Sequence, residues 1–475
     1  MLTVAYLANQ FPSPVEPYVV EEIEELRRRG VMVIPCSARK PPAADLGGDG
    51  VPAPEIVLQS LGVVVLLRGL WLCVRRGHRI SDLIARVVCR GREGPAPRVK
   101  ALLHTWLGAC YAVQLERRGV QHIHAHHGYF GSWIAMVAAR LVGAGFSLTL
   151  HGSDLLLEPG NYLDVKLEHC KFCLTISGYN RQYILKRYPE VPAAKVIVSR
   201  LGVEVDDRAG LPAVGLESGP SQLVLLAVGR LHAVKDHAFL VRACAELRTR
   251  GVDFECSIAG EGPERRGLES LIQKCGLEGR VTLLGHVARE QMNSLYGRAE
   301  VVVLTSRSEG IPLVLMEAMA RGKIVLAPDI TGIPELVIAG KTGFLYEPGS
   351  LGDFVSRLLM IHSLMQAHAA PDCRNARSHI SAHELACAAQ LDWMRHAARV
   401  QVRLNFNRSK NLKAFAELFM QQVIPQQSIP QESIHHEDSL LQQIQLPVQW
   451  NRGVPVRTDG ADESAGARSS VVLDV

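Results

Sequence analysis

Short apolar runs alternate with segments of helical periodicity along most of this chain. In the first half, residues 4–7, 31–34, 122–125, 147–150, 172–176 and 195–198 read as strands bounded by turn-forming residues. Val19, Val20, Ile23 and Leu26 recur at helical spacing, which predicts a helix over 19–29 stopped by Gly30. Residues 40–55, rich in Pro, Gly and Ala, read as loop; helical stretches follow to about residue 118, and 132–141 reads as a further helix. A second series then begins, with strands at 223–228, 254–259, 281–284, 301–304 and 324–327 and helices over 237–250 and 265–275. Strand–helix alternation, twice over, predicts an α/β protein with two doubly wound, Rossmann-like parallel sheets. Each would offer ligand sites at the carboxyl ends of its strands, and two such domains facing each other make a cleft.

The pattern divides the chain at residues 206–220, where Gly, Pro and Ala replace apolar periodicity and an interdomain linker is expected. The expected organisation is a first domain over 1–205, a second over 221–380 and C-terminal helices over 381–424, with helical pattern at 351–364, 382–406 and 413–423. From 425 to 475 the chain turns to Gln, Pro, Ser, Gly and charge, and reads as disordered.

Composition adds limits. At 475 residues, with 47% apolar and 21% charged, the chain has material for two or three packed domains. A net charge of +5 with only 5% aromatic residues, not interleaved with basic runs, argues against a nucleic-acid partner. Eleven cysteines, an odd number without a framework, suggest reduced thiols and a cytoplasmic setting; Cys170 and Cys173 form a CxxC with no second pair at zinc spacing. The N-terminus has no basic flank or cleavage site of a signal peptide. Residues 56–74 are strongly apolar, but Gln59 and Arg68 interrupt them, so a buried or surface-docked helix is expected rather than a span. The basic run that follows, from Arg75 through Lys100, suits peripheral contact with an anionic membrane as well as a plain solvated face.

The richest candidate chemistry lies at residues 306–320. The strand at 301–304 leads into a polar turn, Gly310, Pro312 and an apolar helix, so Glu309 should sit in the loop and Glu317 about two turns down the helix. Ser306 opens the loop, and the amides of Gly310, Ile311 and Leu313 would face an anion from a helix N-terminus. A carboxylate there suits hydroxyl donors, as a sugar supplies, rather than phosphate; the alternative is two solvated glutamates on an ordinary strand–loop–helix. Gly229, Arg230 and Lys235 follow the first strand of the second half, where two cations beside a close-approaching backbone would neutralise a pyrophosphate. Gly262 lies in a third Gly-rich loop, at 259–263, which is not the dinucleotide fingerprint; there is no P-loop either. In the first half His151, at the end of a strand and followed by Asp154, would point into the cleft and exchange a proton near neutral pH or polarise a hydroxyl. His122, His124, His126 and His127 could align as metal ligands on a strand, but no nearby acid or thiol completes a set, so structural histidines are favoured and no metal is expected.

Together these stretches, with residues 11–18 and 331–336, resemble the retaining glycosyltransferases of family 4, which have the GT-B fold, and residues 11–18 and 122–126 look most like their bacterial exopolysaccharide and lipopolysaccharide subgroup. The resemblance implies a nucleotide-diphosphate sugar as co-substrate, a glycan or lipid-linked acceptor and no cofactor. It implies that Arg230 and Lys235 hold the donor diphosphate, Glu317 the ribose and Glu309 the transferred sugar, with amides from Gly310 to Leu313 near the phosphates and His151 by the sugar. Ser13, Glu16, Tyr18 and Asp154 would belong to an acceptor or phosphate loop. The family outcome is retention at the anomeric carbon by a same-face route. Pro17, where relatives often carry Ser or Thr, and Pro14 besides, put acceptor handling in question, and Ser199 to Val203 replaces a more usual Asn-Gly pattern. A non-catalytic binding protein, or a phosphorylase or epimerase of the same fold, are the rival readings.

Overall fold

The computed structural model describes residues 1–13, 15–42, 52–91, 93–156, 162–205, 222–369 and 382–424. The expected linker at 206–220, the expected tail at 425–475 and Pro14 lie outside the described residues.

The first sheet has seven parallel strands: β1 (Thr3–Gln10), β2 (Met32–Arg39), β3 (Ile56–Val57), β4 (His122–His126), β5 (Gly145–Leu150), β6 (Phe172–Thr175) and β7 (Val196–Val198), in the order β3-β2-β1-β4-β5-β6-β7. The second has six: β8 (Leu223–Val228), β9 (Phe254–Ala259), β10 (Val281–Gly285), β11 (Val301–Val303), β12 (Ile324–Pro328) and β13 (Phe344–Tyr346), in the order β10-β9-β8-β11-β12-β13. Both orders reverse direction beside their first strand. In the first sheet β1 pairs with β2 and β4, and in the second β8 pairs with β9 and β11. That reversal opens a crevice at the carboxyl ends, the place where doubly wound sheets bind ligands. The central strands are buried on both faces, which is why they read as continuous apolar runs rather than alternating ones.

Three elements differ from the sequence reading. The apolar run at 56–74 is divided: Ile56–Val57 joins the sheet edge, and the helix is Val63–Arg75. Strand β13 carries too short a pattern to read, as does β3. The C-terminal helices, read as one group, divide between the sheets. Ala382–Asn405 packs on the second, with Leu391 and Met394 in its core. Arg408–Val423 crosses to the first, where Phe415, Ala416 and Phe419 pack against Val4, Tyr6 and Phe172. Ahead of that crossing, the segment at Ser199–Val203 meets the chain coming back: the Val203 amide donates to the Phe406 carbonyl and the Arg408 amide to the Val203 carbonyl, both at 2.9 Å.

Candidate functional site

Strands β8 and β11 deliver two loops that are laced together. The Arg307 amide donates to the Val234 carbonyl at 2.8 Å, and Thr305 Oγ1 donates to the Lys235 carbonyl at 2.9 Å. Lys235 Nζ then stands 2.5 Å from Glu309 Oε1, so two residues marked for opposite tasks form an ion pair. An ammonium has three N–H donors, so Lys235 can hold Glu309 and still face a ligand oxygen. Arg230 is exposed on the same loop and makes no ion pair among the described residues. The turn at Gly260 and Gly262 supports this loop from behind. A Cβ on Gly260 would lie 1.9 Å from the Gly229 carbonyl oxygen, and one on Gly262 2.4 Å from that of Leu231. Both glycines have positive φ, so no other residue fits there without moving the backbone that carries Arg230.

Beyond Glu309 the amides of Gly310, Ile311 and Leu313 donate to no group among the described residues, at the start of the helix Leu313–Ala320. The helix dipole adds to their pull on an anion. The buried Ser306 hydroxyl likewise has no partner among the described residues. Because the helix begins at Leu313, Glu317 lies little more than one turn into it, not the two expected. There it accepts a hydrogen bond from the Tyr296 hydroxyl at 2.8 Å. The Arg321 guanidinium covers the Tyr296 ring at 4.8 Å and donates to Asn293 Oδ1 at 2.6 Å. Glu317, Leu313, Tyr296 and Arg321 line a cavity of about 530 Å³, a size that suits a small molecule, closed on the other side by Tyr18 and Glu22. Arg230, Lys235, Glu309 and His151 are not in its lining. The site is therefore extended, with a walled chamber at Glu317 and a more open cationic part at Lys235.

The first sheet meets this second domain at a backbone contact. A Cβ on Gly310 would lie 2.5 Å from the His151 carbonyl oxygen, and one on Gly152 3.2 Å from the Gly310 amide nitrogen. Nearby, the Glu335 carboxylate accepts from the amides of Gly178 and Tyr179 at 3.0 and 2.7 Å. The His151 ring is buried and stacked on Tyr18 at 4.8 Å, with Nε2 3.0 Å from His126 Nδ1. His126 Nε2 reaches both the Tyr6 hydroxyl and Glu22 Oε2 at 3.0 Å, and Tyr6 donates to Glu22. A buried chain thus runs from His151 to Glu22, at the chamber wall. Burial, together with His127 and His126, pushes the His151 pKa well below its usual range. That direction keeps the ring neutral near pH 7, which fits the second role expected from sequence, polarising a hydroxyl, better than the first, exchanging a proton.

Of the expected acceptor-side residues, Glu16 Oε1 stands 2.7 Å from His127 Nε2, and Asp154 Oδ2 3.5 Å from His127 Nδ1. Asp154 also accepts from the amides of Gly152 and Gly128, both at 2.8 Å, while Ser13 only supplies its carbonyl to the Glu16 amide, at 3.1 Å. Burial opposes charge on His127, but the Asp154 carboxylate beside its ring and the hydrogen-bonded Glu16 outweigh it and raise its pKa to about 10. His122 and His124 are held neutral by burial and hydrogen-bond to Ser147 and Thr149. Lys166, buried and donating to the carbonyls of Gly128 and Tyr129, is brought down to about 7.

A pH prediction follows from His127. Its folded pKa lies above its unfolded value, so its contribution to stability is full below about pH 6.5 and is lost as pH rises toward 10. Lys166 works the opposite way above pH 7, so the test is a difference: the Tm gap between wild type and His127→Gln should be largest near pH 6 and shrink toward pH 10. A gap that is constant over that range contradicts the cationic assignment.

Glu22, His126, Tyr6, Tyr296 and Arg321 were not marked as site residues from sequence. For Glu22 a signal was present: it sits at the spacing of Val19, Ile23 and Leu26, on the buried face of the helix Pro17–Arg28. Tyr296 and Arg321 carry no such mark, because their meeting depends on how β10 and β11 place the helices after them.

The chain is similar to known proteins in sequence and in fold. Residues 216–367 match the family described as glycosyl transferases group 1. The alpha-D-kanosaminyltransferase of Streptomyces kanamyceticus is 37% identical over 163 residues, covering 33% of this chain and 42% of the relative. The amylovoran biosynthesis glycosyltransferase AmsK of Erwinia amylovora is 32% identical over 176 residues, 36% of this chain and 42% of the relative. The chain thus spans less than half the length of these two curated relatives. Among solved structures, Anabaena HepE in complex with UDP-glucose superposes with a TM-score of 0.62 at 17% identity, over 89% of this chain and all of the other, which shows the same fold.

Proposed function

We propose that this chain, whose residues 216–367 match the glycosyl transferases group 1, moves a sugar from a nucleoside-diphosphate sugar to a glycan or lipid-linked acceptor, in surface polysaccharide synthesis at the cytoplasmic face of a membrane. The observation that carries the reading is the Lys235–Glu309 pair beside open amides, because it joins a phosphate-side cation to a sugar-side acceptor in one contact. The nucleoside lies in the chamber with its ribose hydroxyls on Glu317. The diphosphate lies between Arg230, Lys235 and the amides of Gly310 to Leu313, and the sugar between Glu309 and the His151 loop. Positive charge from Arg230 and Lys235, aimed where negative charge grows on the departing phosphate, serves where other enzymes use a metal. Transfer is retaining. The acceptor oxygen forms its bond to the anomeric carbon on the face from which the bond to phosphate breaks, and its proton passes to the leaving phosphate oxygen.

A donor screen tests this. A bound nucleoside-diphosphate sugar at about 100 times its Kd adds ~2.7 kcal/mol of stability, a clear rise in Tm. Release of nucleoside diphosphate should then depend on an acceptor. No shift with any donor, and no transfer or donor hydrolysis, would sink the reading. Tight donor binding without turnover would favour a non-catalytic binding protein, and release of nucleoside diphosphate without acceptor would point to a different reaction on the same fold.

A further inference from the structure

The helix Val63–Arg75 turns its apolar side outward. Val63, Val64, Leu67, Leu70, Trp71 and Val74 are all more than half exposed, at the spacing of one helical face, while only Gly69 and Leu72 are buried against the protein. The helix is held by the longer helix Pro95–Leu115. Trp106 Nε1 donates to the Leu66 carbonyl at 3.1 Å, and a Cβ on Gly69 would lie 2.5 Å from Cys110 Sγ. That register places the exposed Leu102 and Leu103 at the Val63 end of the crossing, so the apolar face continues from one helix to the next.

The charges around this face have one sign. Residues 56–81 contain Arg68, Arg75, Arg76 and Arg79 and no Asp or Glu, and residues 95–115 contain Arg98 and Lys100 and again no acid. Of the flanking acids, Asp82 pairs with Arg140 at 2.7 Å and Glu93 with Arg86 at 3.0 Å, while Glu116 pairs with Arg76 of the rim at 3.2 Å, so the rim's charge rests chiefly on Arg68 and Arg75, which have no acidic partner among the described residues. The Arg75 guanidinium lies 4.8 Å from the centre of the Trp71 ring, a pairing of aromatic and cation suited to an interface between oil and water.

We propose that this face docks on a bilayer surface bearing anionic headgroups, with the helix lying in the plane of the interface. At 13 residues the helix is about 20 Å long, short of the ~30 Å needed to span, and no helix among the described residues is long and apolar enough to cross. An exposed apolar face with a basic rim is how interfacial helices bind. A second copy of the chain is the weaker occupant. A self-complementary contact would set this basic rim against itself, whereas anionic lipid neutralises it. The inference rests on the membrane-side part of the function proposed above, but it is read on a different surface from the donor cleft.

The experiment is flotation of the full chain with vesicles of phosphatidylcholine alone or mixed with phosphatidylglycerol. Binding should require phosphatidylglycerol, weaken with salt, and fall at least tenfold in Leu67→Glu/Trp71→Glu and in Arg68→Glu/Arg75→Glu. Because these side chains are exposed, both variants should keep wild-type Tm and donor binding, which separates failure of docking from failure of the cleft. Wild-type protein that ignores phosphatidylglycerol vesicles, or a Leu67→Glu/Trp71→Glu variant that floats as well as wild type, would overturn the proposal. So would a dimer, detected by sedimentation, that this variant disperses while vesicles bind neither form.

Discussion

Replacing Lys235 by alanine should lower turnover by about a thousandfold while leaving the fold intact. A preorganised donor aimed at developing charge is typically worth about 10²–10³ in rate, and here a full positive charge is removed. A second cost adds to the first. Glu309 has its carboxylate 12% exposed and paired to Lys235 at 2.5 Å, so the variant leaves a largely buried anion unpaired next to where the diphosphate must enter. Donor affinity should therefore fall along with kcat. Adding Glu309→Gln to Lys235→Ala removes the stranded charge, so the double variant should regain Tm and the part of donor binding lost to that charge, while turnover stays low. Steady-state kinetics and thermal shift on the three variants read both effects. Near wild-type turnover in Lys235→Ala, or full recovery of turnover in the double variant, would remove Lys235 from its assigned place. The Tm loss in the single variant should come from the stranded Glu309 carboxylate and not from lost packing, because the Lys235 side chain is 22% exposed and lies outside the apolar cores.

The second large effect is expected from one added methyl group. In Gly310→Ala the new carbon would lie 2.5 Å from the His151 carbonyl oxygen and 2.5 Å from Ile176 Cδ1. The Ile176 methyl is a side-chain end that can turn aside, but the His151 carbonyl is backbone, so the two domains must part by some tenths of an ångström. A displacement of about 1 Å in a positioned site can cost roughly 10² in rate, and turnover should fall by about that factor. Unchanged kinetics in Gly310→Ala would mean that this backbone contact plays no part in the productive geometry.

Much of this architecture is written locally. The buried parallel strands are uninterrupted apolar runs, and the loops after β8 and β11 announce themselves through Gly229, Arg230, Lys235, Glu309 and Gly310. Of these, Lys235 and Glu309 meet, with Gly229 against the Lys235 side chain, and all five lie within residues 216–367. What stayed hidden depends on long-range placement. Nothing near Tyr296 says that its hydroxyl meets Glu317, and nothing near Glu22 says that it reaches His126, a hundred positions on. His151 was legible as a cleft residue but not as a neutral one, since its charge state is set by burial and by His126 and His127 from another strand. For the helix Val63–Arg75 the sequence left two readings, buried or surface-docked, because its composition suits both. Only the seat of Gly69 on Cys110 reveals that this one has its narrow side inside.

The side-by-side crossing at Val203 and Asn407 constrains how the halves can move. A single connecting strand would act as a universal joint, free to swing and twist in every direction. Two connectors bonded to each other, with the Arg408–Val423 helix anchored on the far side, behave more like the paired pins of a door. Rotation about their common line remains easy, while sliding and corkscrew motions would have to break the 2.9 Å bonds at Val203. Opening and closing then follows one path. Gly310 returns to His151 each time in the same register, and the halves need no separate device to find their alignment.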